Sequence, residues 1–316
     1  MPVIKITDIA YGRLGAPDLD QAETFLTDFG MVRAARTRNA LYMRGTDPVH
    51  HLHITELGEP RFIALGFHAA SEDDLRRIAK LDGASGIEHV DEPGGGLRVR
   101  LSDPHGHRVE IVWGIDTPAP LPVRRAVVNW GEERHRRKGE LMRLARGPSQ
   151  VKRIGHGVLM TPDLQKTLGW YRETLGLIAS DDVYAGAPGN VIASFNRCDR
   201  GEDYVDHHTF FAFQGDRAGL NHLSYEVRDF DDVMLGHEHL RAKGYQHQWG
   251  VGRHILGSQV FDYWADPWGR VHEHWTDTDV LNARQAPNLL PAEQAFGSQW
   301  GESAPETLLN TATPSA

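Results

Sequence analysis

Two histidines and one glutamate, His156, His222 and Glu273, each stand near one end of a strand-like segment. The segments are Arg153-Ile-Gly-His-Gly-Val-Leu-Met160, Gly219-Leu-Asn-His-Leu-Ser-Tyr-Glu-Val227 and Asp266-Pro-Trp-Gly-Arg-Val-His-Glu-His-Trp275. Two imidazoles and a carboxylate can occupy one face of a divalent iron and leave the opposite positions open. Such an ion can hold a substrate and dioxygen side by side. A chain with 18 histidines offers many accidental trios. Internal repetition singles out this one.

The chain is written twice. Ile9-Ala-Tyr-Gly-Arg-Leu-Gly-Ala-Pro-Asp-Leu19 matches Ile154-Gly-His-Gly-Val-Leu-Met-Thr-Pro-Asp-Leu164, an apolar strand running into Pro-Asp-Leu and a helical pattern. The helices, Asp20 to Gly30 and Gln165 to Gly176, each close on a capping glycine. A second pair is Phe62 to His68 against Leu220 to Glu226, each followed by an acidic helix start at Ser71 or Asp229. The last is Asp103-Pro-His-Gly-His-Arg-Val-Glu110 against Asp266-Pro-Trp-Gly-Arg-Val-His-Glu273. Repetition on this scale sets the architecture ahead of any propensity argument.

Alignment of the copies places His156 opposite Tyr11, His222 opposite Ala64 and Glu273 opposite Glu110. The first copy keeps the carboxylate and lacks both imidazoles. One live metal site in the second copy, and a lost one in the first, is the expected outcome. Strand alternation then turns His272 and His274 away from the face that Glu273 uses. His237 and His239, two apart in a helical pattern, are expected on different, solvent-exposed faces.

These residues need a scaffold, and the sequence predicts an α+β fold of two domains, each built of paired βαβββ modules. The modules cover roughly residues 4–57, 61–115, 152–213 and 219–276. The expected domains are 1–115, with its metal site lost, and a catalytic unit at 151–277. A linker at 116–150 carries prolines, a solvated basic cluster and room for one short helix. A tail at 278–316, with prolines at 287, 291, 305 and 314, should pack across a surface and then fray.

At 316 residues the chain can bury two cores. Its 34 basic and 43 acidic residues give a net charge of −9, which argues against nucleic acid or an anionic membrane as partner. No apolar run has the length of a membrane span. The N-terminus enters a strand with no signal peptide. The one cysteine, Cys198, excludes an internal disulfide, suits a reducing cytoplasm and reads as a packed thiol.

Further titratable groups flank the trio. His207-His208 precede the strand Thr209 to Phe213; Arg253-His254 and Tyr263 precede Glu273. Taken with Gly155-His156, Asn221-His222 and Asp266-Pro-Trp-Gly269, these motifs make residues 3–278 resemble a known family. It is the two-domain type I extradiol ring-cleavage dioxygenases of the vicinal oxygen chelate (glyoxalase-like) superfamily, which contains catechol and dihydroxybiphenyl dioxygenases.

The resemblance implies iron(II), with manganese(II) as the alternative, held by His156, His222 and Glu273, and dioxygen as co-substrate. It implies that His208 is the acid–base group near oxygen, and that His254 and Tyr263 meet the substrate hydroxyl or its proton. The implied reaction opens a catechol-type diol next to its oxygens, giving a 2-hydroxymuconate-semialdehyde-type product. A small aromatic diol is then the partner, and a homo-oligomer the expected assembly. Val158, Phe195, Ile255 and Leu256 suggest an apolar ring pocket; Leu256 stands where some relatives carry asparagine. In the first copy, His50-His51 echo the His207-His208 pair and read as relics or structural residues. A glyoxalase- or thiol-transferase-like metalloenzyme is the alternative, and oxygen uptake with catechol separates the two.

Overall fold

The computed structural model describes residues 1–124 and 127–315. Arg125 and Ala126 of the expected linker, and Ala316 at the end of the tail, lie outside the described residues. The first half runs β1 (Asp8–Ala16), α1 (Leu19–Asp28), β2 (Val32–Arg36), β3 (Ala40–Arg44) and β4 (His53–Leu57). It repeats the pattern as β5 (Arg61–His68), α2 (Glu72–Ile78), β6 (Glu88–His89), β7 (Leu97–Ser102) and β8 (Arg108–Trp113). The second half begins with β9 (Val151–Thr161), α3 (Leu164–Leu175), β10 (Leu177–Tyr184), β11 (Val191–Cys198), a short β12 (Val205–Asp206) and β13 (Phe210–Gln214). Its other module is β14 (Gly219–Val227), α4 (Phe230–Lys243), β15 (Gln246–His254), β16 (Val260–Ala265) and β17 (Val271–Thr276). The α+β fold of paired βαβββ modules read from the sequence is the fold observed.

The repeat extends to strand register. The first sheet has the order β2-β3-β4-β1-β5-β8-β7-β6, and the second repeats it as β10-β11-β13-β9-β14-β17-β16-β15. Arg13 lies opposite Ala64 across β1 and β5, as Val158 lies opposite His222 across β9 and β14. Gly66 faces Glu110 as Ser224 faces Glu273. Helices start alike because Asp18 and Asp163 each accept backbone N–H groups of the first turn, a cap whose loss costs about 1 kcal/mol.

The two halves share a core through their central strands. A Cβ on Gly12 would lie 2.2 Å from Leu223, and one on Gly157 would lie 2.9 Å from Leu65. These are equivalent pairs, so each half inserts a leucine into a glycine-made recess of the other. Ile9, Leu65, Phe67, Leu159 and Leu223 belong to one buried apolar cluster spanning both halves.

Two expectations fail here. Among the described residues, 116–150 hold turns and no helix; prolines and like charges leave no apolar face to stabilise one. Through Ser315 the tail does not fray. It contributes β18 (Val280–Leu281), β19 (Asn288–Pro291), α5 (Ala292–Ala295), β20 (Ser298–Trp300) and α6 (Glu306–Leu309). β19 pairs with β10 and β20 with β15, covering both edges of the second sheet. Thr313 and Ser315 then bridge to Leu220 and Phe62. The extended backbone satisfies its polar groups on sheet positions that would otherwise face water.

Candidate active site

His156, His222 and Glu273 project from β9, β14 and β17 and meet at one buried point, where the two histidines line a cavity. Nε2 of His156 lies 3.1 Å, and Nε2 of His222 3.5 Å, from Oε2 of Glu273. All three are under one-tenth exposed. Adjacent donors on one face of an octahedral ion with bonds of about 2.1 Å are about 3 Å apart, so the spacing suits one ion. His272 and His274 turn to the opposite face, toward Asp266 and the Phe29 carbonyl.

Hydrogen bonding fixes one of these imidazoles. Asn221 uses both amide hydrogens on the carbonyls of Leu308 (2.8 Å) and Thr311 (2.9 Å) in the tail. Its oxygen must therefore face His222, 2.7 Å from Nδ1. Nδ1 carries the proton, and Nε2 keeps its lone pair beside the Glu273 carboxylate. That Nε2 and Glu273 Oε1 have no hydrogen-bond partner. A buried lone pair and a buried carboxylate left facing each other are a fit for a cation. Ser224 Oγ donates to Glu273 Oε2 at 2.5 Å and orients it. Burial alone would raise the Glu273 carboxyl, but the surrounding imidazoles of His156, His222 and His254 hold it well below the usual range. Burial lowers His156, keeping it neutral and able to ligate.

The other residues singled out in the sequence converge on the same cavity. His208 lies with its ring centroid 4.0 Å from that of His156. Tyr263 packs edge-on to His222, at 5.1 Å, and its hydroxyl is 3.0 Å from His254 Nε2. Val158, Phe195 and Leu256 line the space with them. Ile255 does not: it packs behind the wall.

A chain of polar contacts orders His208. Asn288 donates to Asp181 (2.7 Å), whose other oxygen accepts from His207 Nε2 (2.7 Å). His207 Nδ1 is then the acceptor for His208 Nδ1, 3.1 Å away. His208 therefore presents an unprotonated Nε2. Burial, reinforced by His156, places His208 well below an ordinary imidazole. Burial and the nearby Glu273 charge hold the Tyr263 phenol well above its usual value.

Several participants were not assigned roles from the sequence. Asn221 and His207 stand beside singled-out histidines, but their partners are 87 and 26 residues away. Phe211, Phe213, Trp249, Phe296 and Leu308 complete the walls, the last two from the tail. Elsewhere, His237 and His239 are not free surface groups. They bond Asp262 and Asp28, because α4 packs on the sheet and on the first half. Burial pushes the Cys198 thiol up and leaves it inert.

The profile of the Glyoxalase/Bleomycin resistance protein/Dioxygenase superfamily matches residues 153–273. The chain is 32% identical over 307 residues to metapyrocatechase 2 of Cupriavidus necator, covering 95% of this chain and 91% of that one. A Mn(II)-bound glyoxalase from Novosphingobium aromaticivorans superposes with a TM-score of 0.78 at 25% identity, covering 98% and 96%. Homoprotocatechuate 2,3-dioxygenase from Brevibacterium fuscum, complexed with 3,4-dihydroxyphenylacetate, gives a TM-score of 0.80 at 17% identity, covering 99% and 94%; at that identity it speaks for the fold. The fold and site thus define a member of this superfamily. Within it, the chain belongs to the extradiol ring-cleavage dioxygenases of the metapyrocatechase type. Iron(II) or manganese(II), with dioxygen, serves these enzymes. No helix among the described residues is long and apolar enough to cross a membrane.

Proposed function

We propose that this chain opens catechols whose ring substituents are neutral and apolar, at a metal held by His156, His222 and Glu273. The carrying observation is the cavity lining. Val158, Phe195, Phe211, Phe213, Trp249, Leu256 and Phe296 surround the histidines, and among the described residues no lysine or arginine lines the space. A carboxylate on the ring would be buried there without a counter-charge, which is costly. A planar apolar ring would be held by the aromatic walls.

His156, His222 and Glu273 would hold iron(II), which would supply Lewis acidity to the diol. Around it, the chain moves protons. Tyr263, kept protonated by burial and by Glu273, is a hydrogen-bond donor, and His254 at 3.0 Å is the acceptor. The substrate's phenolic proton thus passes to the Tyr263 oxygen as the Tyr263 proton passes to His254 Nε2. His208 offers a neutral Nε2 on the other side, beside His156. It takes up a proton there and returns it to the departing oxygen. The His207–Asp181 pair holds its ring and tautomer in place. The apolar walls and tail exclude water from the opened ring.

The test is a panel of catechol, 3- and 4-alkylcatechols, 2,3-dihydroxybiphenyl and 3,4-dihydroxyphenylacetate, followed by oxygen uptake and product absorbance. At least a tenfold advantage in kcat/KM of an apolar-substituted diol over the carboxylate is expected. Preference for the carboxylate would overturn the proposal. The glyoxalase alternative has the Novosphingobium likeness in its favour. Isomerisation of a thiohemiacetal without oxygen uptake would select it. The single buried thiol supports a cytoplasmic location. Exposed Trp130 and Leu141 on the linker support a homo-oligomer, which sedimentation would test.

A further inference from the structure

We propose that His237, His247 and Asp262 form a second divalent-metal site, of zinc type, on the face of the catalytic sheet opposite the substrate cavity. The three residues come from α4, β15 and β16. Nδ1 of His237 lies 3.1 and 3.2 Å from the two oxygens of Asp262. Nε2 of His247 lies 2.8 Å from Oδ1. One ligand atom from each residue falls within 4.8 Å of the others. Two imidazoles and a carboxylate are a donor set for zinc and its neighbours in affinity order.

Strand alternation sets the placement. Tyr263 points into the catalytic cavity, so Asp262 points to the helix-covered side, where it is fully buried. Trp264 Nε1 donates to its Oδ2 at 2.5 Å, fixing the carboxylate and presenting Oδ1 to the histidines. This is the arrangement in which a second hydrogen-bond partner orients a metal-binding carboxylate. The cluster is accessible: His237 and His247 line a pocket together with Glu302 and Ser303 of the tail, which gives an entry path from solvent.

The internal repeat shows that packing does not require these residues. The position of Asp262 corresponds to Val99 in the first half, because Asp262 pairs with His274 as Val99 pairs with Ile111. His237 corresponds to Ala79, each lying eight residues after the helix N-cap at Asp229 or Ser71. Val99 and Ala79 both pack in the apolar core. Where the first half has plain core, the second has buried a carboxylate and brought two imidazoles to it. A purely structural network would be satisfied by hydrogen bonds alone; a metal site must also bind a cation.

Iron-loaded enzyme should be titrated anaerobically with zinc(II), then desalted and assayed for both metals. One zinc per chain is expected with the iron retained, and a zinc-edge anomalous peak beside Asp262. H247Q and H237A should each weaken zinc binding at least tenfold while keeping iron content, and H247Q, which can still donate to Asp262, should also keep the zinc-free melting temperature. H247Q changes a partly exposed residue, so it guards against a folding artefact. No zinc beyond the iron, zinc gained only as iron is lost, or equal zinc affinity in both variants would overturn the site.

Discussion

The two halves solve the same electrostatic problem differently. Each buries a glutamate at the same point of the same sheet, Glu110 in the first and Glu273 in the second. Around Glu273 stand three imidazoles, those of His156, His222 and His254. Around Glu110 stand Arg13 at 3.3 Å, Arg98 at 3.7 Å and Arg100 at 3.8 Å, with the Tyr11 hydroxyl donating at 2.6 Å. Arg13 occupies the register position of Val158, opposite the alanine that replaces His222. The first half thus carries its compensating cations covalently. The second surrounds its carboxylate with neighbours that suit the cation from solution proposed above.

The sharpest way to break this contrast is to remove an imidazole. His222→Ala should cut bound iron to below a tenth of wild type and turnover by about a thousandfold or more, read by metal analysis and oxygen uptake. Next in size is His208→Phe, which should keep iron and catechol binding but lose turnover by about 10²–10⁴-fold. Unimpaired turnover in that variant would remove His208 from the proton path. Asn221→Ala frees the His222 ring and should lower iron affinity by about 10–100-fold, measured by competition with a chelator.

The contrast also predicts a purely structural effect. Arg13→Ala leaves Glu110 buried with weaker compensation and should cost about 3–5 kcal/mol in chemical denaturation, with iron content unchanged. Loss of iron instead would mean that the halves do not divide the tasks as described. The smallest effect is a pH dependence. Burial would raise Glu92, but Arg13 and Arg98 hold it at about 2, below its unfolded value. Its contribution is therefore complete above the ordinary carboxylate range and lost as pH falls through about 2. The stability difference between wild type and Glu92→Gln should shrink over that acid window.

Much of this was legible in the sequence because the repeat is local. Pro-Asp-Leu after a strand, Asp-Pro turns and strand periodicity are short-range features, and they recovered both sheets and the convergence of all six singled-out residues. What escaped depends on distant partners. The role of Asn221 rests on carbonyls of Leu308 and Thr311, which the tail reaches only after crossing the sheet. His237 looked solvent-facing from helical spacing, since nothing local announces a carboxylate on β16. The role of Arg13 likewise rests on its register opposite Ala64, a pairing across strands that the local sequence does not display.

Iron-edge anomalous diffraction from crystals loaded anaerobically tests the division between the halves most directly. One strong peak within coordination distance of His156, His222 and Glu273, and none beside Glu110, is the predicted result. A peak at Glu110, or full iron loading with no density among the three second-half residues, would contradict it.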